Sequence, residues 1–552
     1  MITCLLSLLS VGGPLAPGPV LVAAPAFHAI AFINDPLSHG SVGDSLLSLN
    51  EGIRLHNGTL NVSQLSVAEQ AQVSLLPGTG ASSFVTWLEI DSEFTPTITI
   101  EQDLDSIIDT PFGLFIRGSG GAPILDFSAA GVTRGIHSTS NNLILQDLAI
   151  HDAPYGVSVA QTDVTGQPGC SLNGCKFRDL QQFGVKVVGT QVGGVGRLIV
   201  EECVFENVPD AVMLDEAAAD RSTIFESRDV DILGADVGFD LTIGTGGNAR
   251  FTFDRVIAEC ASIGINLDAP ASSGRPTLIE GTHLRVRAPV CARFDGASDA
   301  VTWMQCSMWN LMAPASGTAL ELGALGDQVY GDMHEFRCVG DVTIGTGGAP
   351  LTLNVRNARC EDGTVTLSTS ATQSFVITES RFTNCTTETA GSGALSIDGS
   401  CFVGGVVGGS SPAGLLQANN CFLDNAGAGV AATQSLPQAQ LGSMSVTPDD
   451  AVLGGAITFA ADMPAGLVCA FALGGVAAVP PLLPPPLYVY VDLTQYVLLP
   501  SLYIGQQSAT WTVPSQLVFL GYDLMVQPVV LPLAGQQAPD LQLPPGWRFV
   551  LR

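Results

Sequence analysis

Apolar and polar residues alternate in short segments that repeat along the chain from about residue 142 to residue 430. Each segment consists of a short alternating stretch, a polar corner and a second alternating stretch, as in NLILQDLAIHDAPYGVSV from Asn142, SLNGCKFRDLQQFGVKV from Ser171 and LIVEECVFENVPDAVML from Leu198. Alternation with a period of two predicts β-strands that bury one face. The chain is therefore predicted to be all-β, with little helix.

The segments can be aligned on the two apolar positions that precede the corner, with steps of 22 to 30 residues. Repetition at this period predicts a solenoid, in which each coil buries its apolar face only when a neighbour stacks on it. The alignment gives two inward columns. The first contains Leu148, Cys175, Cys203, Val230, Val256, Leu284, Cys306, Phe336 and Ala358, and the second contains Ile150, Phe177, Phe205, Ile232, Ala258, Val286, Met308 and Cys338.

Composition supports this architecture and narrows the function. Only 13% of residues are charged, and the 62 glycines suit many short strands joined by tight turns. The 51 acidic residues outnumber 21 basic ones, of which two are lysines, so the net charge is −30. This acidic protein would be repelled by a phosphate backbone, so nucleic acid is excluded as an expected partner.

The N-terminus predicts export. Residues 1–29 open with ITCLLSLLSVGG and continue to VLVAAPAFHA, an apolar stretch ending in small residues that resembles a secretory signal peptide. Its first residues lack Lys and Arg, which indicates either an atypical signal or a start codon placed too far downstream. The later apolar tract LGGVAAVPPLLPPPLYVYV, from Leu473, is interrupted by five prolines and does not predict a membrane span. We therefore expect a secreted or cell-surface protein that does not span the membrane.

A short segment near the N-terminus carries a family resemblance. Ser48-Leu49-Asn50-Glu51-Gly52-Ile53 resembles the SLREAI core of the CSLREA domain, with Leu47 and Asn50 standing where that core has cysteine and arginine. The domain is found at the start of bacterial exported right-handed parallel β-helix proteins. The resemblance implies a right-handed, single-stranded parallel β-helix of the pectate-lyase-like superfold over residues 30 to about 430.

Four regions are predicted along the chain. A proline-rich composition after residue 440, without the coil pattern, favours a small C-terminal β-sandwich with prolines at edges and turns. An N-terminal segment is expected to cover the open end of the solenoid. The regions are a signal peptide (1–29), an N-terminal cap (30–96), a β-helix (97–435) and a β-sandwich-like domain (436–552).

The 13 cysteines do not predict a disulfide framework, because disulfide scaffolds are short and cysteine-dense. Cys175, Cys203 and Cys306 occupy aligned positions where other coils have Leu or Val, so we expect buried thiols. If a disulfide forms, Cys170 with Cys175 is the favoured pair. The sequence has no cysteine and histidine spacing typical of zinc.

The first coils contain candidate catalytic residues. Alternation places His151, Arg178 and Glu206 in one outward column. A lyase needs a basic group and a hydrolase needs paired carboxylates, so a polysaccharide-degrading site would use this patch. The residues concerned are His151, Asp152, Lys176, Arg178 and Asp179.

Turn chemistry offers another interpretation of the same residues. Asn and Asp tolerate tight turns and bond nearby backbone, so a polar column at a corner serves the fold itself. Residues of this type recur at Asp152, Asp179, Asn207, Asn310, Asp362 and Asn384. The outward column would then be a solvated surface.

Two other sets of residues suggest ligands. Stacked carboxylates could hold Ca²⁺, the one possible cofactor, through Glu201, Glu202, Glu206, Asp229 and Asp231. The chain lacks the DxDxDG spacing of a dedicated calcium loop, so the same residues could simply be an acidic surface. Trp303 aligns with inward Leu145 and Leu172 and is predicted to lie in the core. Trp309 falls beside the corner, where it could stack on a sugar, although an isolated tryptophan more often serves packing. The candidate ligand-binding residues are Trp309, Arg287 and Tyr155.

Three functional hypotheses follow. The favoured one is an exported, non-enzymatic protein that binds a polysaccharide or another cell-surface component, in adhesion or in the matrix, because the chain lacks the recognisable catalytic sets of polygalacturonases and lyases. The second is a polysaccharide lyase or glycoside hydrolase acting on acidic polysaccharide. The third is a calcium-stabilised surface-layer component.

Overall fold

A computed structural model describes most of the chain after residue 28, so most of the predicted signal peptide lies outside the described residues. The described residues are 29–39, 43–75, 85–108, 113–139, 142–161, 169–189, 195–215, 222–243, 248–268, 277–295, 301–314, 316–323, 328–345, 351–369, 374–378, 380–391, 394–398, 400–403, 406–409, 415–419, 422–424, 427–428, 443–447, 454–462, 467–476, 491–498, 503–504, 507–513, 523–532 and 547–550.

The described residues form short strands almost throughout. Helical segments occur near the N-terminus: α1 (Leu49–His56), a 3-10 turn (Val62–Gln64) and α2 (Val67–Gln70). The strands up to residue 215 are β1 (Ala29–Ile33), β2 (Val73–Leu75), β3 (Trp87–Asp91), β4 (Thr97–Thr99), β5 (Leu114–Ser119), β6 (Ile124–Asp126), β7 (Ile136–Ser138), β8 (Asn142–Gln146), β9 (Ala149–His151), β10 (Val157–Gln161), β11 (Gly169–Asn173), β12 (Lys176–Arg178), β13 (Phe183–Gly189), β14 (Val195–Glu201), β15 (Val204–Glu206) and β16 (Asp210–Asp215).

The strands continue in the same style to residue 428. They are β17 (Ser222–Thr242), β18 (Ala249–Asp268), β19 (Thr277–Arg287), β20 (Val290–Asp295), β21 (Val301–Ser307), β22 (Asn310–Met312), β23 (Thr318–Leu322), β24 (Gln328–His334), β25 (Arg337–Val339), β26 (Asp341–Gly345), β27 (Leu351–Arg356), β28 (Arg359–Glu361), β29 (Thr364–Thr369), β30 (Ser374–Thr378), β31 (Arg381–Thr383), β32 (Thr386–Gly391), β33 (Ala394–Asp398), β34 (Cys401–Val403), β35 (Val406–Gly409), β36 (Leu415–Asn419), β37 (Phe422–Asp424) and β38 (Gly427–Ala428).

Strand pairing confirms a parallel β-solenoid. The chain forms two compact units, residues 1–209 with 213–224 and residues 210–212 with 225–552. In the first unit, one ladder of parallel strands is β1, β3, β5, β8, β11 and β14, a second is β4, β6, β9, β12 and β15, and a third is β7, β10 and β13. Each coil therefore contributes one strand to each of three faces.

The second unit repeats this arrangement. Its first ladder runs through β18, β19, β21, β24, β27, β30, β33 and β36. A second ladder runs from β19 through β22, β25, β28, β31, β34 and β37, and a third from β18 through β20, β23, β26, β29, β32, β35 and β38. In-register pairing stacks each residue on its equivalent in the next coil, about 4.8 Å away.

The first corner of each coil is made by one residue in the left-handed backbone region. Non-glycine residues there have φ between 52° and 56°, and the positions are Asp147, Glu202, Asp229, Arg255, His283, Met308, Glu335 and Asn357. Since this conformation is strained for most side chains, it persists only where stacking on both sides fixes the backbone. The corner turns the chain from the first ladder into the second.

The interior is filled by the predicted apolar columns, with stacked rings on neighbouring coils, except in one coil. There Trp309 and Leu311 take the inward positions predicted for Cys306 and Met308. Phe177 and Phe205, for example, are buried with ring centroids 4.8 Å apart and planes at 5°. The cysteines of the columns are also buried, as expected, and nine described cysteines, including Cys170 and Cys175, are free thiols. A disulfide between those two is therefore absent from this structure.

The segment that resembles the CSLREA core forms helix α1. The Ser48 side chain accepts a hydrogen bond from the Glu51 backbone N–H, and the Glu51 carboxylate accepts one from the Ser48 N–H, so the two make a capping box. Both residues are buried. The next residue, Gly52, leaves room for neighbours, since an added Cβ would lie 2.8 Å from a methyl of Leu88. The role of the N-terminal region as a separate cap of the solenoid stays a prediction.

The C-terminal strands change to antiparallel pairing. They are β39 (Ser443–Thr447), β40 (Ala456–Asp462), β41 (Leu467–Val476), β42 (Val491–Leu498), β43 (Tyr503–Ile504), β44 (Gln507–Thr512), β45 (Asp523–Pro532) and β46 (Trp547–Val550). One sheet has the order β39-β40-β44 and another β42-β41-β45-β46 with β43 on β41. Buried Phe459 and Phe471 connect them, with ring centroids 6.0 Å apart. The boundary of a separate sandwich domain stays a prediction.

Burial of His56 at the end of α1 predicts a pH-dependent stability. Its side chain is fully buried, its Nδ1 lies 2.8 Å from the Val85 carbonyl oxygen, and burial lowers its pKa to about 4. The unfolded chain protonates His56 near pH 6.5, whereas the folded chain does so only near pH 4. The contribution of neutral His56 to the free energy of unfolding is therefore complete above pH 6.5 and is lost as the pH falls towards 4. The loss should be about 3 kcal/mol at most.

Urea unfolding of wild type and His56→Asn at several pH values measures this effect. Asparagine can still donate to the Val85 carbonyl but does not titrate, so the variant should lose less stability than wild type between pH 6.5 and pH 4. Parallel pH profiles for the two proteins would contradict the assignment.

Candidate functional site

The predicted catalytic patch lies together on the outside of the first unit. Strand register places His151, Arg178 and Glu206 directly above one another on β9, β12 and β15. Arg178 Nε lies 3.6 Å from Glu206 Oε2 and 3.2 Å from Asp179 Oδ2, with about half of the Arg178 side chain exposed (51%). Exposed ion pairs of this kind contribute little stability.

Corner geometry confirms the turn-chemistry interpretation of the Asp and Asn column. Asp152, Asp179 and Asn207 have φ of 55°, 54° and 55°, and Asn207 Nδ2 donates to Asp179 Oδ1 at 2.9 Å. The same bond, also 2.9 Å, joins Asn384 to Asp362. Asn310 does not belong to this column, because it lies in strand β22, so its predicted corner position is wrong.

The other members of the patch are arranged around the same coils. Lys176 is exposed on the same strand face as Arg178. Tyr155 packs against Phe183, with ring centroids 4.9 Å apart and planes at 14°, and burial raises the pKa of the Tyr155 hydroxyl. The patch brings the candidate residues together, and their catalytic role stays a prediction.

The proposed calcium ligands lie in differing environments. Glu201 accepts a hydrogen bond from Asn173 at 3.3 Å, Glu202 forms a left-handed corner, and Asp229 is held by Arg255 through contacts of 2.5 and 2.6 Å. That pairing lowers the pKa of the Asp229 carboxyl. Within the described residues, three or more His, Cys, Asp or Glu side chains do not come together as a metal site. Calcium binding through Glu206, Asp231 and the others stays a prediction.

The two tryptophans exchange their predicted positions. Trp309 is buried (1% exposed), whereas Trp303 is 44% exposed, so the placement of Trp303 in the core and Trp309 outside is wrong. Gly281 makes room for the buried indole, since an added Cβ would lie 2.5 Å from Trp309 Nε1. A ligand at the surface can therefore meet Trp303 but not Trp309.

The cause is a shift of register in one coil. Trp309, not Cys306, occupies the inward position after the corner that Leu284 and Phe336 fill in neighbouring coils. Cys306 instead pairs with Gly281 and Met333 on the first ladder. The corner residue of this coil is Met308, an apolar side chain where other coils mostly have polar ones, so the usual corner signal is missing.

Trp303 belongs to an exposed surface that we call the aromatic face. It stacks on Tyr330 of the next coil, with ring centroids 4.7 Å apart and planes at 21°, and Tyr330 is 37% exposed. The face consists of two parallel outward columns on the first ladder of the second unit. The columns are Arg250, Leu278, Trp303, Tyr330 and Thr352, and Thr252, Glu280, Gln305, Asp332 and Asn354.

The aromatic face combines two kinds of contact that sugars use. Aromatic rings offer apolar area to the C–H faces of a pyranose, while a neighbouring row of amide and carboxylate groups can bond its hydroxyls. Gln305, Asp332 and Asn354 are all exposed and follow one another on successive coils. The sequence carries a signal for this face, because TWMQ (302–305) and VYGD (329–332) each place an aromatic residue two positions before a polar one. The two segments can be matched only when the coils are aligned in the correct register.

Arg287 lies in a separate groove of the second unit. It is exposed and pairs in register with Glu259 and Met312. The groove measures about 750 Å³, and its wall includes Ala288, Pro289, Pro314 and Cys260. Burial raises the pKa of the Cys260 thiol to about 12, so this cysteine is protonated at neutral pH and is not a nucleophile there. The groove is thus a mainly apolar depression beside Arg287.

Comparison with family models, curated proteins and solved structures finds no match for this chain. In the part of the chain that the structure describes, no helix has the length and apolar character needed to cross a membrane. The site assignment therefore depends on the geometry of this molecule alone.

Opposite placement of the two tryptophans predicts opposite effects of truncation. Trp309→Ala should lower the free energy of unfolding by about 3–5 kcal/mol, because it empties a large buried volume. Trp303→Ala should lower it by only about 0.5–1.5 kcal/mol, since the side chain is at the surface and loses mainly its stacking on Tyr330. Chemical denaturation of the two variants beside wild type measures both values, and equal losses would show that Trp303 is also core.

Proposed function

We propose that this chain is an exported, non-enzymatic solenoid protein that binds polysaccharide on its aromatic face, at the cell surface or in the extracellular matrix. One observation carries the proposal: the exposed, stacked pair of Trp303 and Tyr330 beside a row of hydrogen-bonding side chains. Monomeric proteins gain little by exposing two large aromatic rings together, whereas binding sites are enriched in exposed tryptophan and tyrosine.

The stacked geometry indicates how a sugar would approach. Each ring covers one face of the other, so contacts are left to the ring edges and to the two outer faces. The neighbour of Tyr330 on the next coil is Thr352, which is exposed and too small to cover a tyrosine ring. A sugar lying over Thr352 would contact the outer face of Tyr330 and reach the amide of Asn354.

The solenoid supplies repetition along the ligand. Successive coils offer equivalent side chains at about 4.8 Å intervals, so a polymer of sugar units can be met by several coils in turn. Export is supported by the apolar stretch at residues 1–29, which ends in small residues. Attachment to a surface or matrix follows as the expected location of a polymer-binding solenoid.

Binding to a panel of neutral and acidic polysaccharides, measured by affinity electrophoresis and by sedimentation with insoluble polymers, tests this function. Wild type should bind at least one polymer without shortening it. Trp303→Ala with Tyr330→Ala should weaken that binding roughly five- to hundredfold, since each ring contributes about 0.5–1.5 kcal/mol. The melting temperature of the double variant should stay near that of wild type.

Phe94→Ala serves as the matched control, because Phe94 is an exposed aromatic residue (81%) in the first unit. It should leave binding unchanged. Equal binding by wild type and the double variant would remove the aromatic face as the site. Depolymerisation of a bound polysaccharide would replace the binding function with a lyase or hydrolase function.

A further inference from the structure

Three arginines stand directly above one another on the second ladder of the second unit. Arg337, Arg359 and Arg381 occupy the same outward position of β25, β28 and β31, and strand register pairs each with the next. The residue after each of them faces inward, as Cys338, Cys360 and Phe382. We call this row the arginine ladder.

Several other arginines among the described residues meet a carboxylate of the next coil instead of another arginine. Arg178 is paired in register with Glu206, and Arg293 with Glu321, where Nε lies 2.7 Å from the carboxylate. Arg250 likewise contacts Glu280 of the next coil at 2.8 Å. In a chain with 51 acidic and 21 basic residues, placing arginine on arginine over three coils is not an effect of composition.

The ladder is partly shielded from water and shares a carboxylate. The side chains of Arg337 and Arg359 are 15% exposed, and Glu361 contacts both, with Arg337 Nη2 at 3.8 Å and Arg359 Nε closer. Arg381 Nε donates to Thr383 Oγ1 at 3.2 Å. The pKa of Arg359 is lowered to about 10, first by burial and also by the positive charges of Arg381 and Arg337, against the opposing effect of Glu361.

A row of fixed guanidinium groups is suited to oxyanions. Guanidinium presents its N–H groups as a planar fork that matches carboxylate, sulfate and phosphate, and such bonds strengthen where water is partly excluded. The ladder also shares coils with the aromatic face, since β24 with Tyr330 leads through the corner at Glu335 into β25 with Arg337. Both features therefore lie on the same part of the solenoid.

We infer that Arg337, Arg359 and Arg381 form an oxyanion subsite that recognises the carboxylate or sulfate ester groups of an acidic polysaccharide. The inference deepens the proposed function and rests on it for the source of the oxyanion. It makes the ligand class acidic glycans, although the protein itself carries a net charge of −30. Local positive charge at the ladder would select such a polymer against the general repulsion.

A polyuronate and the same polymer with its carboxylates methyl-esterified form the test pair, with a sulfated polysaccharide as a third ligand. Wild type should bind the acidic polymers roughly tenfold or more tightly than the ester, as expected for charge-assisted bonds. Arg359→Gln with Arg381→Gln should remove this preference. Glu361→Gln should act in the opposite direction and strengthen binding of the acidic polymers, since it removes a competing carboxylate.

Arg293→Gln is the matched control, because Arg293 is an outward arginine outside the ladder that pairs with Glu321. It should keep the full preference. Equal binding of polyuronate and ester by wild type, or a preference that survives in the double ladder variant, would overturn the inference. The double variant Trp303→Ala with Tyr330→Ala tests the aromatic face instead, so its loss of polymer binding neither supports nor contradicts the arginine ladder.

Inorganic sulfate separates a free oxyanion from one carried by a polymer. If the ladder binds oxyanions, sulfate should raise the melting temperature of wild type and of Arg293→Gln more than that of the single variant Arg381→Gln. This result together with an absence of polymer binding would keep the subsite and reject the polysaccharide as its source. An equal rise in all three proteins would reject the subsite itself.

Discussion

In-register stacking of parallel coils is the constraint on which the rest of this structure depends. A strand residue contacts its equivalent in the next coil at about 4.8 Å, so the side chain at each position must be compatible with the equivalent side chains above and below it. Inside, the columns place phenylalanine on phenylalanine, as at Phe177 and Phe205. At the corners they place amide on carboxylate, as at Asn207 and Asp179, which accounts for the recurrence of polar residues there.

The sequence was sufficient to predict the solenoid, the buried cysteines and the column of Asp and Asn at the second corner. These features follow from a strict period of two along the strands and from the few residue types that tolerate left-handed backbone. The outward row of His151, Arg178 and Glu206 was predictable for the same reason. Where the pattern is regular, one coil fixes the register of the next.

Prediction failed where the corner signal was absent. Met308 takes the left-handed position without a polar side chain, and Cys306 resembled the inward cysteines of other coils, so that coil was aligned three residues early. Since strand neighbours face opposite sides, an odd shift exchanges inside and outside, and this exchanged Trp303 with Trp309. The arginine ladder was not predicted, although the tripeptides RCV (337–339), RCE (359–361) and RFT (381–383) repeat along the sequence. A single tripeptide does not indicate stacked arginines until the coils are correctly aligned.

Stacking also gives the arginine ladder an energetic consequence. Two unit charges 4.8 Å apart repel by about 1 kcal/mol at the permittivity of water and by about 3 kcal/mol at an effective permittivity of about 20. Arg359 meets this repulsion from both sides while Glu361 relieves part of it. A solenoid could avoid the cost by alternating charges, as it does at Arg293 and Glu321. An oxyanion bound at the ladder would relieve the remaining repulsion, so ligand binding and the stability of these coils are coupled through the same electrostatic term.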